Sequence, residues 1–170
     1  MFKKSNLQTA LRSPGEPVFG ISSGLIRQVL DGSRSSARKR MILPLHKGDA
    51  ALLQRMLNAV QPGTYIRPHR HTADRAESII VLQGAIQFLR FDDCGEIVQS
   101  LEVRAGSSVF GVDIEGGIWH SFLAVEPDTV LFEVKPGPYD PETDKEFARW
   151  APSEFSAEAE AYLQNLTTSS

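Results

Sequence analysis

Four histidines occur in this chain of 170 residues, and two of them form His69-Arg70-His71. On a β-strand, residues i and i+2 point to one face, so both imidazoles can converge on a single point. Glu77 follows at the head of an apolar run over 78–82, and His120 comes later, after Gly116-Gly117-Ile118-Trp119. Imidazole is a borderline donor and carboxylate a harder one, so three histidines and a glutamate suit one divalent transition-metal ion: Zn, Fe, Mn, Ni or Cu(II). Such a set leaves coordination positions for water or substrate oxygens. The alternative for His69, His71 and His120 is ordinary interior imidazoles satisfied by hydrogen bonds. For Glu77 the alternatives are a carboxylate that orients a ligand imidazole and a catalytic general base. His46 belongs to no motif and reads as a surface or strand-end residue; Cys94 reads as a turn residue.

Side chains so far apart in sequence need a fold that gathers strands around one point. Between about 41 and 135 short apolar runs are broken by Pro62-Gly63, Gln83-Gly84, Asp92-Asp93-Cys94-Gly95, Ala105-Gly106 and Gly116-Gly117. This texture predicts a mainly β sandwich or barrel, with strands at 54–60, 64–70, 77–83, 85–91, 97–103, 107–113, 118–125 and 129–135. Gln83-Gly84 and Cys94-Gly95 read as hairpin tips. Ser22 or Ser23 caps a short helix carrying Leu25, Ile26, Val29 and Leu30 and ending near Asp31-Gly32. In the tail, Asp140-Pro141 starts a helix that 144–150 continues. From Ser153 a second amphipathic stretch places Phe155, Ala159, Tyr162, Leu163 and Leu166 on one face, to cover the barrel. The expected organisation is a loosely ordered arm at 1–20, one barrel domain at 21–155, and an amphipathic helix and tail at 156–170.

The strand at 129–135 alternates. If Val130, Phe132 and Val134 face the core, Glu133 and Lys135 face solvent or the barrel mouth. Tyr65 and Arg67 share the parity of His69 and His71. A mouth lined by Tyr65, Arg67, Glu133 and Lys135 is a candidate substrate-binding surface for an anionic, oxygen-rich small molecule.

Hydrophobic residues make up 41% and charged residues 23%, ordinary for one globular domain. The single cysteine excludes an intramolecular disulfide framework and a cysteine-rich zinc site. Lys3 and Lys4 are followed by no apolar segment of signal-peptide length, and no run is long enough to cross a membrane, so a cytoplasmic location is expected. Residues 1–40 hold eight Lys or Arg against Glu16 and Asp31, net +6, so the remainder must be −9 to give −3 overall. That arm reads as a solvated segment crossing an acidic body rather than a nucleic-acid contact, because no aromatics interleave its cations.

The spacing of Gly63, His69, His71, Glu77 and Gly84 resembles the first motif of the cupin superfamily, with a longer interval between His71 and Glu77. Extra residues in the loop 72–76 would leave the register of Glu77 intact. Gly117 and His120 match the second motif, which here lacks its proline and has Ala124 in place of asparagine. Gln61 to His71, Phe132 to Tyr139, Asp144 to Pro152 and Arg38 to His46 are similar to the WbuC-type cupin-fold metalloproteins. The resemblance implies a jelly-roll barrel, or double-stranded β-helix, with His69, His71, Glu77 and His120 on one metal ion. It also implies a homodimer and a place in O-antigen or other surface-polysaccharide biosynthesis. Three functions follow as expectations. The protein is a metal-dependent isomerase or epimerase acting on a saccharide or sugar nucleotide, an Fe(II)-dependent oxygenase, or a non-catalytic module that binds or senses a small molecule.

Overall fold

The computed structural model describes residues 8–169, so Lys3 and Lys4 lie outside the described residues. In chain order the elements are α1 (Ser23–Ser35), β1 (Arg40–Pro44), β2 (Leu53–Val60), β3 (His69–Arg70), β4 (Glu77–Gln83), β5 (Ala85–Phe91), β6 (Ile97–Arg104), β7 (Gly111–Ile114), β8 (His120–Ala124), β9 (Thr129–Pro136), β10 (Glu146–Phe147) and α2 (Ala159–Ser169). They form two antiparallel sheets, ordered β1-β2-β9-β4-β7 and β10-β3-β8-β5-β6. Strands β2 to β9 pass between the sheets so that β2-β9-β4-β7 is matched by β3-β8-β5-β6. This is the double-sheet jelly roll. The mainly β architecture expected from the turn spacing is present.

Alternation fixes what fills the barrel. Val60, Ile79, Val81, Ile86, Phe88, Val103, Ile114, Phe122 and Leu131 form one buried cluster from both sheets. Burying each large aliphatic or aromatic side chain contributes about 1.5–3 kcal/mol. Continuing along the same faces, the interior becomes polar toward one end, where Asn58, Glu77, His120, Glu133 and Lys135 are all buried. A second cluster packs Val29 and Leu30 of α1 on Met41, Leu43, Leu57 and Val130, on the outer face of the first sheet. A third places Leu166 of α2, with Ala148 and Ala151, over Leu89, Phe91, Trp119 and Leu123 of the second.

Several expectations are corrected. Only His69–Arg70 of the 64–70 segment is strand. The main chain before it is bonded by side chains instead: Tyr65 O accepts from Arg40 and Ile66 O from Ser121 Oγ. β9 shows the opposite parity from that assumed: Leu131, Glu133 and Lys135 are buried inside the barrel, while Val130 packs toward α1. Helix α1 continues past Gly32 to Ser35, because Gly32 serves close packing: a Cβ there would stand 2.8 Å from Met41 Cγ. Gly84 (φ +76°) turns the chain between the two sheets, not within a hairpin.

The expected helix at 140–150 is absent. Thr143 N and Asp144 N donate to Asp140 O in a single turn, and Glu146–Phe147 then pairs with β3. Asp144 is pulled out of helical geometry by partners on other elements, described below. Phe155 precedes α2, adopts φ +66° and is exposed. Strand β1 was not anticipated. Cys94 is an exposed turn residue, and His46 is buried just past the end of β1, with Nδ1 against the main chain of Arg55. Three cations of the basic segment are paired: Arg34 with Asp31 of its own helix and with Asp128, and Arg38 and Arg40 both with Glu154. Among the described residues, no helix is long and apolar enough to cross a membrane.

Candidate metal centre

Strand β3 supplies His69, with His71 just beyond its end; β4 begins with Glu77 and β8 begins with His120. Register brings two of them face to face, since His69 pairs with His120 across β3 and β8. The longer interval between His71 and Glu77 is taken up by a turn in which Arg75 N donates to Thr72 O. Glu77 then enters β4 opposite Ile114 of β7, on the barrel side. Gly116 and Gly117 make the approach to His120 possible. A Cβ on Gly116 would collide with the carbonyl of Thr72, and Gly117, at φ +81°, donates its N–H to His71 O at 2.9 Å.

His69, His71, Glu77 and His120 are all buried, and one ligand atom from each lies within 4.8 Å of the others. The three Nδ1 atoms face main-chain carbonyls: Arg67 O at 2.9 Å, Asp144 O at 2.6 Å and Ile118 O at 2.9 Å. A carbonyl can only accept, so each Nδ1 carries the hydrogen and each Nε2 is left with a bare lone pair. This is the outer contact that orients metal-ligating imidazoles.

The Nε2 atoms of His71 and His120 are buried with no hydrogen-bond partner. Both face Glu77 Oε2, at 3.6 and 3.3 Å. Lone pairs facing a carboxylate call for a cation in their midst: a metal ion or, without one, a proton on an Nε2. Donor atoms about 2.1 Å from a shared ion stand about 3–4 Å apart. The residues present therefore fit a metal ion. Electrostatics keep the set ready to ligate. Burial, then the charge of Lys145, holds the His69 imidazole well below its ordinary value, hence neutral. Burial pushes Glu77 up, but His120, His71 and Lys135 outweigh it and hold the carboxyl well below the usual range, hence ionised.

The strand order is that of a double-sheet jelly roll, and the four side chains gathered at one end of it could hold a metal ion. A family model described only as a domain of unknown function (DUF6016) matches residues 21–103. No curated protein matches the chain. Among solved structures, it is similar to oxalate decarboxylase from Bacillus subtilis (19% identity, TM-score 0.46), covering 58% of this chain and 24% of that one. It is also similar to KdgF from Halomonas sp. (21%, TM-score 0.44), covering 61% of this chain and 80% of that one. A third likeness is to the Cnp3 cupin domain of Schizosaccharomyces pombe (12%, TM-score 0.45), covering 58% and 65%. The chain thus spans about a quarter of the oxalate decarboxylase.

The four remaining candidate residues divide. Glu133 and Lys135 lie inside the barrel with the cluster. Glu133 accepts from Asn58 Nδ2 at 2.8 Å, and burial, then the Glu77 charge, pushes its carboxyl up to about 7. Lys135 Nζ donates to both carboxylate oxygens of Asp144. Tyr65 and Arg67 are engaged by the C-terminal segment instead. Tyr65 Oη donates to Pro152 O and Arg67 to Ala148 O and Ser153 Oγ.

Three neighbours escaped the sequence reading. Asp144 and Lys145 lie in a segment that reads as helix. Lys145 shares the field of the cluster, and burial, then Lys135, holds its ammonium below the ordinary value. Arg90 is two residues beyond Phe88 in period-two alternation; that signal is in the sequence, but only the β5–β8 register places it beside His120.

Proposed function

We propose that this protein is a WbuC-type metalloprotein that binds one divalent transition-metal ion through His69, His71, Glu77 and His120. In this reading it is a cytoplasmic homodimer and acts on a saccharide or sugar nucleotide in surface-polysaccharide biosynthesis, with isomerase or epimerase chemistry. The observation that carries the metal is the pair of buried, unpartnered Nε2 atoms aimed at Glu77 Oε2.

A bound ion would supply a Lewis acid that polarises a substrate oxygen. The chain's own groups do the rest. Carbonyls of Arg67, Asp144 and Ile118 hold the imidazoles in one tautomer. Glu77 as a ligand is not free to carry protons. Glu133, buried in the same interior and bonded to Asn58 Nδ2, is the carboxyl placed to hold or move one.

The test is metal content by mass spectrometry on protein purified without metal-affinity resin, for the parent and His71→Ala side by side. About one equivalent in the parent, lost in the variant, is expected. A folded parent free of transition metal would remove the enzyme reading and favour a metal-less binding barrel. Oxygen uptake by the iron-loaded protein separates oxygenase from isomerase chemistry.

A further inference from the structure

The row of side chains crossing the second sheet does not end at the histidines. Phe147 pairs with His69, His69 with His120, His120 with Arg90 and Arg90 with Gln99. Residues directly opposite in antiparallel strands project to the same face, with Cβ atoms about 5 Å apart. His120 projects into the barrel, so Arg90 does too, one strand further along. Alternation agrees, since Ile86 and Phe88 of β5 belong to the interior cluster. The ladder slips here: Arg90 faces Gln99 but Phe91 faces Ile97. An irregularity of this kind re-aims the side chain beside it.

Arg90 is exposed, and its guanidinium makes no hydrogen bond or ion pair among the described residues. Arg34, Arg38, Arg40, Arg70 and Arg104 each hold a carboxylate. Arg90 lines a cleft of about 410 Å³ together with Phe88, Gln99, Leu101, Ile114 and Ile118. None of the four cluster residues lines the cleft, but two of its lining residues touch on the cluster: the Phe88 ring stacks on His120 and Ile114 stands opposite Glu77. Asp113 and Glu115 also border it, but the Asp113 carboxylate takes the hydroxyl of Ser78. A cleft of this size suits a small-molecule site.

We infer that Arg90 is the anion-recognition residue of this cleft, taking the carboxylate or phosphate of a monosaccharide-sized molecule whose other oxygens reach toward His69, His71, Glu77 and His120. The inference rests on the metal reading and deepens it, naming an acidic sugar over a neutral one. A guanidinium presents two parallel N–H donors that match an oxyanion bidentately, which a lysine cannot. Gln99, its cross-strand neighbour, offers an amide to hydroxyl groups. Leu101, Ile114 and Ile118 give the sugar ring an apolar surface to lie against.

The experiment is isothermal titration calorimetry of metal-loaded parent, Arg90→Met and Arg90→Lys with D-glucuronate, D-glucose 1-phosphate and D-glucose, with metal content measured on each sample. At least one acid should bind the parent about tenfold or more tighter than glucose does, and Arg90→Met should lose that preference with metal content unchanged. Arg90→Lys should recover part of it. The tighter acid names the oxyanion. Equal binding of the acids by parent and Arg90→Met, or no preference for either acid over glucose, overturns the inference and leaves the metal reading standing. A metal-free parent that binds an acid only while Arg90 is present upholds the inference and sinks the metal reading.

Discussion

Asp144 is bonded to His71 through its main chain and to Lys135 through its side chain. Its carbonyl oxygen accepts from His71 Nδ1 at 2.6 Å, and its carboxylate takes Lys135 Nζ at 2.8 and 2.9 Å. One residue of the segment 140–150 therefore ties β9 of the first sheet to the histidine-bearing end of the second. Asp144→Asn leaves the carbonyl in place and removes the charge facing a buried ammonium. Breaking a buried ion pair on one side costs about 3–5 kcal/mol. At about 2–4 °C per kcal/mol for a chain of this size, the melting temperature should fall by about 10 °C. Metal affinity should weaken by less than about tenfold, because the carbonyl that orients His71 remains and only its side-chain anchor is lost. A thermal scan and a metal titration read the two effects separately. An unchanged melting temperature would mean that water already reaches Lys135.

Metal removal should register as lost stability. An ion that binds only the folded chain at a free concentration a hundredfold above its Kd contributes about 2.7 kcal/mol. Chelation of the parent should therefore lower the melting temperature by about 5–10 °C, and re-addition should restore it. His120→Ala, which removes one of the two orphaned Nε2 atoms, should melt at the same temperature with and without chelator. A variant still sensitive to chelator would retain the ion through the other three ligands.

Glu133 gives the metal-free protein a pH dependence of definite sign. Its carboxyl, ordinarily 4.5, is pushed up to about 7 by burial and then by the charge of Glu77. Between these values the folded chain keeps a proton that the unfolded chain has released. Stability therefore falls as pH rises from about 4.5 to about 7 and levels off above, by about 3 kcal/mol if the whole shift is expressed. Glu133→Gln preserves an oxygen for Asn58 Nδ2 and carries no charge. It should be more stable than the parent at pH 8 and equal to it near pH 4.5. Denaturant titrations of metal-free protein at the two pH values check this; a gap of the same size at both would assign the gain to packing, not titration.

The gathering of His69, His71, Glu77 and His120 at one place was partly legible, because part of its geometry is local and periodic. His69 and His71 share a face by the two-residue period of extended chain; Glu77 heads an apolar strand that ends at Gly84, and Gly116-Gly117 mark the approach to the strand headed by His120. The jelly roll was legible from turn spacing. The parity of β9 was not, because Val130 and Leu131 are both buried, one under α1 and the other inside the barrel, so hydrophobicity alone does not say which face is interior. The strap at 140–150 misled for another reason. Asp140-Pro141 is a good helix start, and local propensity carries no record of Lys135 and His71, whose bonds to Asp144 override it. Arg90 needed the register of two strands distant in sequence, which no local pattern supplies.

Tyr65 shows how a correct residue type in a plausible position can serve packing. Its hydroxyl donates to Pro152 O at 2.8 Å and its ring meets Tyr162 edge-on at 6.0 Å. Burial, then Tyr162, pushes its phenol up, so it remains a neutral donor. Tyr65→Phe deletes one hydrogen bond and strands a carbonyl, which should cost about 1 kcal/mol in denaturant titration. Metal content and glucuronate affinity should not change, because the bond anchors the segment leading into α2 and not the cleft lined by Arg90. A variant of parental stability that bound glucuronate about tenfold more weakly would reverse the assignment. It would place the Tyr65 hydroxyl on the ligand, and the loop before β3 would then have to leave Pro152 when the cleft is filled.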